Sequence, residues 1–447
     1  MQAAQELEGS GLRPSATVGW WMAGVFCLAA LVSYIDRLIL SVLVDPIRHE
    51  LAFSDSQISV LQGAAFAIVY VVVGLPLGRL ADRRRRLNIL IGGATLWCMG
   101  VIVCGVAPNF WALFAGRLLV GVGEASLFPP AVSMLADAVP PERRGAAMGL
   151  LMMGAFLGGP ASIAVGGATL QFAQAGGFSR VPVVKDLSAW RQVLVVIGAV
   201  GLIVPALFLT LREPPRRVGA AKLSPLRGVA AVFTANRSVL GPLYLGVALL
   251  SLGDYALLSW VPSLTSRKFH LAPASLGVLI GTITTLAGAC GSLSGGFLSD
   301  WRWRRGGLAA RMTLTAAAAA IGVVGAVLVS GPSATFALSG LGLWTFASAC
   351  GFTSGFAALQ DVIPNDMRGI GTSLMAFCNT LLGLGLGPTL VALMTERVFG
   401  DPQAVGYSMT VIVCPAAVVA CAMFVVVRSA ARRPALGHGS LQVESLP

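Results

Sequence analysis

Five ionisable side chains lie inside long apolar stretches: Asp36 and Arg37, Arg117 and Glu124, and Asp254. A charge at the centre of a membrane costs about 2.5–3.5 kcal/mol on insertion scales, so residues of this kind are kept there for pairing, ion relay or recognition. Two acids near two bases suit proton exchange or anion capture better than bond cleavage. No nucleophile–base set and no His/Cys/carboxylate cluster at ligand spacing accompanies them, and no GxxxxGK[ST] loop occurs. Neither an enzyme, a metal nor a cofactor is therefore expected. The run Leu38–Val44 after Asp36-Arg37 is apolar, which argues for a place within a span; a span that ended early would make the pair interfacial. Arg117 and Glu124 are seven residues apart, close to two helical turns, and so face the same way. They could serve transport, fasten one helix to another, or do both. Asp254 reads either as a working carboxylate or as a relic of duplication held by Tyr255 or nearby backbone.

The elements that must position these groups follow from composition. Hydrophobic residues are 56% and charged residues 11% of the 447, against roughly 25% charged in soluble domains, so most of the surface must face lipid. A span takes about 20 apolar residues, and lipid admits only helices or closed barrels. Twelve segments qualify as helices: 20–43, 57–77, 87–107, 110–136, 145–170 and 192–211, then 240–261, 275–298, 308–330, 335–359, 369–394 and 405–427. The net charge of +12 lies in short runs between segments rather than in a nucleic-acid-binding face. Seven basic residues (Arg48, Arg180, Lys185, Arg191, Arg267, Lys268 and Arg397) fall on one side; the clusters 83–86, 143–144, 212–237 and 302–311 fall on the other. That bias predicts cytoplasmic termini in a cell (inner or plasma) membrane. The first 19 residues are too polar to open a signal peptide, and the first span is expected to act as an uncleaved insertion signal. All eight cysteines sit in apolar segments, so no disulfide is expected.

The segments form a repeat. A shift of 218 residues places Asp36 on Asp254, Gly63 on Gly281, Gly78 on Gly296 and Asp82 on Asp300; Gly159-Pro160 is answered later by Gly387-Pro388. The expected architecture is all-α: two pseudo-symmetric six-helix bundles, 20–211 and 238–427, joined by a cytoplasmic linker (212–237) and flanked by tails 1–19 and 428–447. Repeats of this kind place a binding site near the midplane.

Gly78-Arg79-Leu80-Ala81-Asp82-Arg83 resembles the signature loop between spans two and three of the major facilitator superfamily, although Arg85 stands where that pattern has Gly. Tyr34-Ile35-Asp36-Arg37, Val44-Asp45-Pro46-Ile47-Arg48, the Gly74–Asp82 stretch and Gly121-Val122-Gly123-Glu124-Ala125 resemble the Spinster-like branch. The resemblance implies a transporter working by alternating access, with spans one, four, seven and ten lining a cavity and Asp82 bracing a cytoplasmic gate. It also suggests an amphiphilic, lysolipid-like cargo.

The combined expectation is a proton-coupled secondary transporter, monomeric, embedded in membrane lipid, moving a small amphiphilic or anionic substrate. Protons are assigned to Glu124, Asp36 and Asp254. Substrate is assigned to Arg37, Arg117, Tyr34, Tyr255, Trp344 and Phe352, and the gate to Gly78, Asp82, Arg83, Asp300, Arg144 and Arg368. The alternatives are a small organic anion as cargo, or a membrane sensor with a transporter fold.

Overall fold

The structure, a computed structural model, describes residues 16–139, 144–215, 232–270, 273–363 and 368–432, and among them all regular elements are helical. Among the described residues eleven helices are long and apolar enough to cross a membrane. The longest, Gly277–Val329, has 53 residues, roughly 80 Å of helix against a hydrocarbon core of about 30 Å. It leaves helical geometry at Gly306 (φ −170°, ψ 25°) and Gly307 (φ 57°, ψ −148°), the second a conformation that glycine adopts cheaply. Two spans therefore meet there, and the total is twelve: α1 Thr17–Leu51, α2 Asp55–Gly74 (helical on to Arg83), α3 Arg86–Val106, α4 Phe110–Ala138, α5 Ala147–Gln174, α6 Ala189–Phe208, α7 Arg237–Phe269, α8 277–305, α9 308–329, α10 Ala334–Val362, α11 Ile370–Phe399 and α12 Pro402–Ala431. The face at which α1 begins is called the near face below, and the opposite one the far face.

The first helix departs from expectation. It does not stop near residue 43 but runs to Leu51, with its helical bonding interrupted at Ile39. Asp36 and Arg37 thus lie in mid-helix, and the apolar run after them is span rather than end.

Contacts group the chain into two compact units. One comprises Met1–Arg37, Val69–Ser162 and Gly176–Ala220; the other comprises Leu38–Ile68, Ile163–Ala175 and Ala221–Pro447. Water does not drive helices together inside lipid, so small residues that let backbones meet are decisive. In the first unit Gly100 on α3 and Gly116 on α4 face each other, and a Cβ on either would lie 2.9 or 3.0 Å from the other's carbonyl oxygen. In the second, Gly325 on α9 and Gly340 on α10 do the same at 2.9 and 2.7 Å. The repeat read from sequence is therefore repeated as packing. Also in the second unit, α11 widens into π-helix over Asn379–Leu386 and α2 over Val60–Ala64. Pro388 has no N–H for the carbonyl of Leu384, and Gly63 lies against that carbonyl, where a Cβ would come within 2.1 Å of its oxygen.

Valine at Gly100 or Gly325 is expected to destabilise by about 1–3 kcal/mol through overpacking. Gly24→Ala, with nothing within 4 Å of the added carbon, is expected to be neutral or slightly stabilising. Fluorescence-detected thermal unfolding in detergent measures both.

Candidate functional site

The helix interruption in α1 organises the charges at mid-membrane. A helix end leaves its last carbonyls without partners. Here they are met by side chains: Ser162 Oγ donates to Ile35 O at 2.9 Å, Arg117 Nη1 to Asp36 O at 3.2 Å and Arg117 Nη2 to Arg37 O at 3.1 Å. Arg117 thus binds the backbone of α1 and donates no hydrogen bond to the Asp36 carboxylate. Arg37 reaches Glu124 Oε2 with Nε at 3.1 Å and Nη2 at 2.7 Å, and Ser33 Oγ donates to the same oxygen at 2.8 Å. The rings of Tyr34 and Tyr70 stand 4.5 and 5.3 Å from the Arg37 guanidinium. Glu124 Oε1 is buried and accepts no hydrogen bond among the described residues, and the buried Asp36 carboxyl has only the indole N–H of Trp97 turned toward it, short of close hydrogen-bond geometry. All four charged residues are buried. The structure brings them into one group, but with one closed ion pair, one backbone clamp and one carboxyl with no arginine hydrogen-bonded to it among the described residues.

Asp254 sits in the matching place on α7. Trp344 Nε1 donates to its Oδ1 at 2.8 Å and Ser348 Oγ to its Oδ2 at 2.7 Å. Two neutral donors from α10 hold it, rather than Tyr255 or backbone. Trp344 is fully buried in this role, which is a different place from an open cargo wall. Tyr255 is half-buried and packs against Gly383. Phe352 and Phe356 stack at 5.8 Å and remain half-buried on α10.

A second charge group closes the far face of the second unit, and sequence reasoning missed it. Arg267, at the end of α7, donates two hydrogen bonds to Asp55 (2.8 and 2.9 Å) and one to Asp45 (2.8 Å). Arg48 adds a contact to Asp55 at 3.7 Å. Asp55 opens α2, where the helix dipole favours a carboxylate. Beside it the amide of Ser56 donates to Glu396 Oε1 at 3.0 Å and its hydroxyl to Glu396 Oε2. In the charge count Arg267 is only one of seven basic residues on one side. The available signal was Asp45-Pro46-Ile47-Arg48, charges embedded in what proves to be continuous helix.

Two further arginine-centred clusters occur, one in each unit. Buried Arg86 binds Glu213 (3.1 Å), Asp137 (2.5 Å), Ser133 (2.9 Å) and the carbonyl of Pro214 (2.8 Å). It therefore differs from Arg84 and Arg85 of the same run, which are exposed. Its counterpart Arg311 binds Asp361 and, at 3.2 Å, the otherwise exposed Asp300. Burial works against the Glu213 carboxylate. The hydrogen bonds from the Arg86 amide and guanidinium and from the Leu87 amide outweigh it and hold the group below its ordinary value. The side chains of Gly78, Asp82, Arg83, Arg144 and Arg368 lie outside the described residues. In the first unit Arg191 donates to the carbonyl of Ala107 at 2.6 Å, closing the end of α3.

Twelve membrane-crossing helices in two repeated halves, with a buried charge group at mid-depth, define a multi-pass helical transporter. The chain belongs to the Major Facilitator Superfamily, whose family model matches residues 26–388. It is 27% identical over 416 residues to an "MFS-type efflux pump" of Mycolicibacterium smegmatis, covering 88% of this chain and 89% of that protein. It is 28% identical over 303 residues to the "Probable sulfoacetate transporter SauU" of Cupriavidus necator, covering 64% of this chain and 65% of that one. Among solved structures, a bacterial homolog to the human lysosomal transporter Spinster superposes with a TM-score of 0.75 at 25% identity, covering 93% of this chain and 96% of that one. The resemblance to the Spinster-like branch thus holds in fold as well as in sequence.

Two outcomes follow from the geometry. Arg267→Gln leaves Asp55, 1% exposed, without its principal partner and is expected to cost about 3–5 kcal/mol; adding Asp55→Asn should restore part of the loss, as thermal unfolding of the single and double variants will read. Glu213 carries a lowered value in the folded protein, so its contribution is present above the unfolded carboxylate value of about 4.3 and is lost as pH falls through the folded one. Wild-type thermal stability is therefore expected to fall below about pH 4.3, while Glu213→Gln starts lower and falls less.

Proposed function

We propose that this chain is a proton-coupled secondary transporter of an amphiphilic anion, working by alternating access in the inner or plasma membrane with both termini cytoplasmic. The observation that carries the reading is the Asp36 carboxyl: fully buried, beside a closed Arg37–Glu124 pair, and with no arginine hydrogen-bonded to it among the described residues. An unpaired charge in such a place is expensive, so Asp36 is read as holding a proton in this state. Glu124, with one oxygen engaged and one free, is read as the group that exchanges a proton during transport. Protonating Glu124 weakens its hold on Arg37, and the freed guanidinium, flanked by Tyr34 and Tyr70, can then take an anionic headgroup. Proton and cargo affinities become reciprocal. Arg117 is assigned to holding α1 in shape. Asp254 is the reserve proton site, and the stacked Phe352 and Phe356 are assigned to the apolar part of the cargo. In the same cycle the far-face bonds of Arg267 to Asp45 and Asp55 must part when that face opens.

A small organic anion is the second reading. The named sulfoacetate transporter among the relatives favours it, and Arg37 would serve it equally well. Flux competition separates the two: a lysolipid that blocks uptake or export of a labelled organic anion, and is itself carried, supports the amphiphile.

The central test is pH-driven flux in liposomes. Asp36→Asn or Glu124→Gln is expected to remove most of the dependence on the proton gradient, and the double variant all of it. A double variant that keeps full dependence overturns the coupling scheme. One that loses only cargo binding moves the coupling to Asp254.

A further inference from the structure

The last turns of α8 carry a feature that transport through the bundle does not use. Asp300-Trp301-Arg302-Trp303-Arg304-Arg305 are all exposed, immediately before the chain turns at Gly306–Gly307. Asp300 is engaged by Arg311, and among the described residues no carboxylate pairs with Arg302, Arg304 or Arg305. This contrasts with Arg86 in the first unit, which is enclosed by carboxylates of its own chain. The Arg305 guanidinium lies 3.9 Å from the Trp301 ring centre and that of Arg302 5.4 Å; Arg311 reaches the Trp303 ring at 4.8 Å. Arg305 lies four residues from Trp301 and three from Arg302, and so neighbours both on the helix surface. Upstream on α8, Phe297 (77% exposed) and Leu293 (63% exposed) continue from Trp301 at four-residue spacing. The surface is thus an apolar stripe that ends in an indole capped by guanidinium groups.

We propose that this stripe is a binding site for an anionic phospholipid. The headgroup phosphate would sit on Arg302 and Arg305 with Arg304 beside them, and an acyl chain would lie along Trp301, Phe297 and Leu293. Guanidinium forks match phosphate oxygens. Indoles settle at headgroup depth, where one edge is wet and one face apolar. A free phosphate ion fits less well, because the convex helix surface offers it no enclosure and leaves the stripe bare. With the proposed orientation, the site faces the anionic cytoplasmic leaflet. Trp303 touches Arg311, so the lipid would also sit one contact away from the Asp300–Arg311–Asp361 cluster.

The test uses the full chain in nanodiscs containing a small fraction of brominated lipid, either phosphatidylglycerol or phosphatidylcholine, with quenching of tryptophan fluorescence as the readout. Preferential quenching by the anionic lipid is expected, and it should disappear in a variant with Trp301→Phe and Trp303→Phe. Each arginine replaced by glutamine at positions 302, 304 and 305 is expected to lower the preference roughly fivefold, while Lys at the same positions keeps most of it. Inorganic phosphate at millimolar concentration should not displace the lipid. Equal quenching by the two lipids, a preference that survives the triple Gln variant, or displacement by inorganic phosphate overturns the proposal. Arg305→Gln alone carries the test should the triple variant not express. Nanodiscs present the same lipid on both faces, so failure of this site is distinguishable from an error in the orientation.

Discussion

The Arg117 guanidinium, bound to the carbonyls of Asp36 and Arg37, is the contact on which the mid-membrane arrangement turns. Inside hydrocarbon a helix cannot leave carbonyls unpaired, yet α1 interrupts its ladder at Ile39. A charged donor with a fixed fork meets two of those carbonyls at once, and Ser162 meets a third. Arg117 is thereby committed to the backbone. Among the described residues that leaves Arg37 as the arginine hydrogen-bonded to Glu124, and no arginine on the Asp36 carboxylate. The asymmetry between two acids that look alike in sequence is a consequence of where one arginine went.

The second unit shows what the same position becomes without that clamp. Residue 255 is Tyr where the first half has Arg37, and Ser348 stands on α10 as a neutral donor. Asp254 is held by an indole and a hydroxyl instead of standing beside an ion pair. The two halves share their glycine contacts, and each has an arginine-centred cluster, at Arg86 and at Arg311. They differ at mid-depth, where a duplicated scaffold can change its chemistry without losing its packing.

Ion pairs lie near helix ends in both units, and their environments differ. Arg86 is enclosed by two carboxylates, a hydroxyl and a carbonyl, whereas Asp300 of the Arg311 cluster is largely exposed. At the far face one arginine holds two aspartates, one of them fully buried. Bonds of this kind are costly to break singly but can be exchanged for water when a face opens, a property suited to a protein that must change shape.

The amino-acid sequence by itself determined the class and the count: 11% charge over 447 residues forces lipid-facing helices, and the number of apolar segments long enough to span yields twelve. It also determined the repeat, through Asp36 and Asp254 and through the paired glycines. That Arg117 and Glu124 share a helix face followed from a spacing of seven. Tertiary structure alone decided the partners. A helical period says which way a side chain points but not which of several acids, carbonyls or rings it meets, and so Arg117 could not be read as a backbone clamp or Trp344 as the donor to Asp254. Arg267, Asp45 and Asp55 stayed hidden for a related reason: they lie at helix ends far apart in the chain, where charge is ordinary and only packing shows that one guanidinium joins them.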